Sequence, residues 1–271
     1  MKRILSWLTI LFFVGFSLFP ILYVVSISLR GDNAFGSRSL MLFDSTSTIK
    51  NFIELFTNTP FLKWMLNSLY VSVVVTLTGV VLAATSGYAI SRYEFKGKKL
   101  MLTSLLTTQM FPATMLMLPF FIVLSKLHLI NKFLGLIIIY SSTALPFCIW
   151  QMKGYFDTIP AELEEAAKLD GCSPFQAFYK IILPMSAPAL VITGLFSFMS
   201  SWSEYLVAAI TLQDPDLYTL PLGLKSFQAS LATQWGLYAA GALVVSIPVV
   251  VLFIMISKYL VSGLTVGSVK G

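Results

Sequence analysis
The sequence predicts an all-α integral membrane protein: six transmembrane helices with a soluble two-helix segment held on one side. Three observations carry this. Of the 271 residues, 57% are hydrophobic and 11% charged, where a soluble domain carries about 25% charged residues. Uncharged apolar runs recur at lengths that reach the roughly 20 residues a bilayer demands. One stretch, residues 153–184, breaks that pattern with helix-capping signals and eight charges of its own.

The first run, residues 4–29, lies between Arg3 and Arg30 without a charge. It is longer than a signal-peptide core and has no small-x-small cleavage site, so it reads as a retained helix kinked at Pro20. Residues 30–63 are mixed and polar, a loop. Residues 64–91 give the second span, and its Gly79, Ala83, Ala84, Ser86, Gly87 and Ala89 permit close helix packing. Arg92, Lys96, Lys98 and Lys99 follow in a short basic loop of the kind kept inside the cell. Topology is a sufficient reason for those charges.

Residues 100–125 make the third span, interrupted by Pro112 and Pro119. A turn from Lys126 to Lys132 leads to the fourth, residues 133–152, which contains Pro146. Residues 185–213 make the fifth span and residues 226–257 hold the sixth. The polar segment between them includes Asp214-Pro215-Asp216 and Gln234-Trp235. Six spans put both termini on one side. Placing them in the cytoplasm, with the Arg92 loop and the 153–184 segment, leaves 11 Lys and Arg inside and seven outside.

The soluble segment reads as two short helices, about 15 Å each at ten residues. Thr158 and Pro160 suit a first turn, and Glu162, Glu164 and Glu165 complement the positive end of the helix dipole. Leu163, Ala166 and Ala167 make a narrow apolar face, and Gly171 supplies a left-handed end. Ser173-Pro174-Phe175-Gln176 is a capping box opening the second helix. Phe175, Phe178, Tyr179 and Ile182 then fall on one face, and Pro184 ends or kinks the helix. Residues 153–183 carry three Lys against five acids. A hairpin lying on lipid would be basic, so this balance favours a protein partner.

Composition also excludes. The net charge of +6 comes from basic residues scattered between apolar runs, which argues against nucleic acid. His128 is the only histidine, and Cys148 lies in an apolar run while Cys172 lies in the soluble segment, so the chain offers no metal cluster or His-based catalytic set. No phosphate-binding Gly-x-x-x-x-Gly-Lys motif occurs. The chain therefore reads as a transport or machine subunit, not an enzyme. Glu204 is the one acid within an apolar run, flanked by Trp202 and Tyr205. A carboxylate at membrane depth faces a polar pathway or fixes helix packing, and both readings stand.

Glu165-Ala166-Ala167, Gly171, Ile181, Leu183 and Pro184 stand at the spacing of the cytoplasmic "EAA" loop of binding-protein-dependent ABC importers, which this segment resembles. Gln109-Met110-Phe111-Pro112-Ala113, Lys153-Gly154-Tyr155-Phe156, Tyr218-Thr219-Leu220 and the ending from Gly263 to Gly271 are similar to the sugar-permease group that includes the maltose importer. The likeness covers roughly residues 64–271. At Ser203 and Tyr205 the sequence departs from the group's frequent Trp-Asn-Glu-Phe.

The resemblance implies a type I importer permease fold. Its parts would be a first helix and external loop over 1–63, the transmembrane domain over 64–262 with the coupling loop 153–184, and a tail over 263–271. It implies a multi-pass subunit of a bacterial or archaeal plasma membrane that imports a carbohydrate, an oligosaccharide such as maltodextrin. Its implied partners are a second homologous permease, two copies of an ATPase that bind ATP and Mg, and an external solute-binding protein. This chain would hold no cofactor itself. Coupling to the ATPase would fall to the motif residues with Asp170, Phe175, Phe178 and Tyr179. Gly263, Gly267, Lys270 and Gly271 would add a C-terminal contact. Trp202, Glu204 and Tyr205 are the pathway candidates. A permease for another solute, a stand-alone channel or secondary transporter, and an assembly subunit are the alternatives.

Overall fold
The computed structural model describes residues 2–31, 35, 47–228 and 233–266. Four of its helices are long and apolar enough to cross a membrane, and counting each of two sharply bent pairs as one span brings the number to six. The chain divides into two units, residues 1–66 with 219–248, and residues 67–218 with 249–271.

In the first unit, α1 (Lys2–Ser28) is apolar and exposed along most of its length. Its C-terminal end is tied down instead. Asn51 donates to the Ser28 and Arg30 carbonyls at 2.9 and 2.8 Å, satisfying groups that a helix end leaves open. Asn51 belongs to α2 (Lys50–Thr57), so the loop expected over 30–63 carries a helix. Eight residues give too short a pattern to stand out against a polar background, but Leu55 anchors it fully buried. The start of α3 (Phe61–Arg92) packs on α12 (Leu220–Ser226) and the first half of α13 (Trp235–Val266). Trp64 lies so close over Gly223 that a β-carbon there would stand 2.1 Å from its ring. α13 runs past the expected end at 257 and takes Gly263 into helical backbone.

The second unit holds the rest of α3, then α4 (Lys98–Thr108), α5 (Ala113–Lys126) and α6 (Phe133–Phe156). The expected third span is not one helix. α4 and α5 meet at 103° across residues 109–112, where Pro112 cannot continue a helix and biases the residue before it to extended backbone. α7 (Glu162–Leu169), α8 (Pro174–Ala177), a π-helical turn over Phe178–Ile182 and α9 (Leu183–Met185) form the soluble segment. α10 (Ala187–Trp202) departs at 76° from α8–α9. The fifth span is also broken: α10 stops at Trp202 and α11 (Leu206–Thr211) begins anew. A 3-10 turn over Pro215–Leu217 leads to Tyr218, whose carbonyl accepts from Asn67 at 3.0 Å.

Small residues set the helix spacing, as the second span suggested. A β-carbon on Gly87 would meet the Lys153 nitrogen and Met152 Cβ of α6 at 2.9 Å. One on Gly79 would meet Ser197 Oγ of α10 at 2.8 Å. Ala83 and Ala84 are buried, while Ala89 points outward. Gly87→Val would overpack the α3–α6 contact at about 1–3 kcal/mol. It should lower the thermal unfolding midpoint in detergent by several degrees. Gly154→Ala, whose β-carbon meets nothing within 4 Å, should not.

Candidate functional site
The soluble segment is built by local signals. α7 ends in a Schellman motif, with Cys172 N–H donating to the Ala167 carbonyl at 2.9 Å and Gly171 N–H to Lys168 at 3.0 Å. Gly171 takes φ +87°, the left-handed region that glycine enters without a Cβ penalty. Both arms of the capping box are present: Ser173 Oγ accepts from Gln176 N–H at 3.3 Å, and Gln176 Oε1 accepts from Ser173 N–H at 2.8 Å. Thr158 is not the cap of α7. Its hydroxyl donates to the Tyr155 carbonyl at 2.7 Å, at the end of α6, and Ala161 opens α7 with no side-chain cap.

The buried face of α7 is also not the expected one. Leu163 and Ala166 point outward, and Glu164 turns in beside Ala167. The cause lies outside the helix. Arg92 at the end of α3 donates Nε to Glu164 Oε1, and Tyr88 donates its hydroxyl to Glu164 Oε2 at 2.6 Å. The Glu164 side chain is 9% exposed. A carboxylate so buried needs this charge and these donors. Arg92 does more than set topology: it also donates to the Phe156 and Ile159 carbonyls at 3.0 and 2.9 Å. Beside it Ser91 donates to Asp157 at 2.7 Å, and Lys153 pairs with the same carboxylate. Burial pushes the Asp157 carboxyl up, but the hydrogen bonds from Lys153 and Ser91 outweigh it and hold the group below its ordinary value.

Around this polar centre the seat is aromatic. Phe178 is 8% exposed, with its ring centroid 4.4 Å from that of Tyr88 and 6.4 Å from that of Phe156. Ala177 and Ile182 are fully buried beside it. The face predicted from Phe175, Phe178, Tyr179 and Ile182 is therefore split: Phe175 is 75% exposed and Tyr179 62%. Phe175 stands in the first turn of α8, Phe178 and Ile182 turn to the seat, and Tyr179 lies on the outward side of the π-helical turn. Of the motif residues, Glu165, Ala166, Asp170, Gly171 and Pro184 are exposed, Ala167 is buried, and Ile181 and Leu183 are half-buried. The outward side so carries Leu163, Leu169 (90% exposed), Phe175 and Tyr179, an apolar surface of the kind that marks a partner site.

A second feature lies where helices break. A cavity of about 470 Å³ is lined by Gln109 and Phe111 at the α4–α5 break, Tyr140 and Thr143 on α6, and Ser200 and Glu204 at the α10–α11 break. Glu204 accepts from the Val207 and Ala208 N–H groups at 3.0 and 3.4 Å, capping α11 while facing the cavity. Gln109 donates to the Thr143 carbonyl at 3.0 Å. The buried Tyr140 hydroxyl lies within electrostatic reach of Glu204 but makes no hydrogen bond of ordinary geometry. Of the three pathway candidates only Glu204 lines this cavity. Trp202 is buried and stacks on Phe198 at 5.3 Å, and Tyr205 is not in the lining. Sequence alone does not join Gln109 and Thr143 in one site, because they lie 34 residues apart. Gly263 has helical backbone, and Gly267, Lys270 and Gly271 lie outside the described residues.

A family model, the binding-protein-dependent transport system inner membrane component, matches residues 76–265. The chain belongs to this family. This permease is 35% identical over 260 residues to the trehalose transport system permease protein SugB of Mycobacterium tuberculosis, covering 95% of this chain and 94% of that one. It is 35% identical over 256 residues to the maltodextrin transport system permease protein MdxG of Bacillus subtilis, covering 94% and 91%. Its fold matches a chain of a bacterial ABC transporter involved in the import of the acidic polysaccharide alginate. The TM-score is 0.82 at 23% identity, over 95% of this chain and 96% of that one.

The split face yields a test. Phe178→Ala would empty a buried aromatic site at about 3–5 kcal/mol. It should expose the 162–185 segment to protease and lower the unfolding midpoint. Tyr179→Ala should leave both within about 0.5 kcal/mol of the parent.

Proposed function
We propose that this permease forms half of the translocation pathway of an ATP-driven oligosaccharide importer and receives its motion through the 162–185 segment. The observation that carries this is the two-sided character of that segment. Its inner side is fixed to α3 and α6 by a buried ion pair and three packed rings, while its outer side presents Leu169, Phe175 and Tyr179 to solvent. Exposed aromatic side chains backed by a rigid support are what a binding surface requires.

The partner on that surface is an ATPase subunit, present in two copies and holding the ATP and Mg. The second half of the pathway is a homologous permease, and an external solute-binding protein delivers the cargo. The segment and both termini face the cytoplasm, in keeping with the basic loop that begins at Arg92. Broken helices lining a cavity with both apolar and polar side chains suit a pathway that opens alternately to the two sides. Phe111 and Phe120 offer apolar faces to a sugar ring, and Gln109, Thr143 and Ser200 offer hydrogen bonds. The trehalose and maltodextrin systems among the relatives support a carbohydrate cargo.

The test is ATP hydrolysis by the complex purified in lipid, with and without binding protein, across a panel of oligosaccharides. Stimulation by one liganded binding protein is expected. A complex without an ATPase would overturn the reading, and a flat response across the panel would discard the carbohydrate. Gly171→Pro cannot take φ +87°. It should leave the chain in the membrane but abolish uptake; normal uptake in that variant would contradict the coupling role.

A further inference from the structure
If an ATPase pushes the soluble segment, the push must enter the membrane helices somewhere. The aromatic seat is a poor place for it, because apolar packing is non-directional and rings slide on one another at low cost. Hydrogen bonds to charged groups are directional and strong. They converge on one side chain.

Arg92 is the last residue of α3. Its guanidinium reaches α7 through Glu164, the last residue of α6 through the Phe156 carbonyl, and the α6–α7 link through the Ile159 carbonyl. The planar fork of donors permits this, and an ammonium cannot span the same acceptors. Tyr88, one turn earlier on α3, holds the second oxygen of the same carboxylate. The carboxylate of α7 is thus gripped by α3 at two points, and the grip is closed against the end of α6.

We propose that Arg92 is the positioning residue of the coupling step. With Tyr88 it clamps Glu164, so that α7 and the C-terminal ends of α3 and α6 move as one body. The clamp rests on the reading of the segment as the ATPase-docking element. It assigns Glu164 an inward, force-bearing role and leaves its neighbour Glu165 to the exposed side.

The experiment compares solute transported per ATP hydrolysed in proteoliposomes holding the whole importer and its binding protein. Arg92→Lys keeps the charge but loses the fork, and its transport per ATP should fall about tenfold, the scale of one charged hydrogen bond. Tyr88→Phe keeps the ring on Phe178 and loses only the hydroxyl that donates to the carboxylate; its ratio should also fall about tenfold. The exchange Arg92→Glu with Glu164→Arg should not restore the ratio, because a carboxylate at 92 cannot donate to the two carbonyls. A merely structural role would lower uptake and hydrolysis together and leave their ratio at the parent value, and that result overturns the clamp. Should Arg92→Lys fail to accumulate, Tyr88→Phe decides alone, and an unchanged ratio overturns the clamp. A parent complex whose hydrolysis is not stimulated by binding protein removes the docking reading and the clamp with it; a stimulated parent with unmoved variants removes the clamp only.

Discussion
A buried carboxylate next to an apolar helix bundle must find a cation and donors, and Glu164 finds them in Arg92 and Tyr88. Much of the soluble segment follows from that constraint. With Glu164 turned inward, Ala167 comes in one turn later and Leu163 is left outside. The link between α6 and α7 is pinned at Ile159, whose carbonyl accepts from the same guanidinium as the Phe156 carbonyl at the end of α6. Phe178 then closes the seat over Tyr88, the residue that also holds the carboxylate. Polar and aromatic contacts share one residue, so neither can shift alone.

The same rule governs the cavity. A break in a helix within a membrane strands backbone groups that lipid cannot satisfy. At the α10–α11 break a side chain supplies the partner. Glu204 accepts from the Val207 and Ala208 N–H groups in the first turn of α11, and Gln109 ties the α4–α5 break to α6 by donating to the Thr143 carbonyl. Both side chains line the cavity. Glu204 is thus at once a cap for α11 and a carboxylate on the cavity wall.

What was legible in the sequence was what is local. The apolar runs announced the spans, and Gly171 and the Ser173–Gln176 pair announced a helix end and a helix start that the structure forms as read. What was not legible depends on partners far along the chain. Nothing within α7 says that Glu164, and not Leu163, faces inward; Arg92 lies 72 residues away. Periodicity placed Phe175 and Phe178 on one face, but only Phe178 meets Tyr88 and Phe156, which lie far along the chain, and Phe175 is left exposed. The break after Trp202 was hidden because Glu204 within an apolar run reads as a pathway acid or as a residue that fixes helix packing, and neither reading marks a helix start.

The account makes the soluble segment and the end of α3 one rigid body. Spin labels at Glu94→Cys and Leu169→Cys, with Cys148 and Cys172 replaced by serine, test this directly. Both labelled positions are exposed, one two residues past the end of α3 and the other at the last residue of α7. The account predicts one narrow distance distribution that is the same in the nucleotide-free and ATP-bound complex. A distance that changes between those states would show that the segment moves on its seat, and would contradict it.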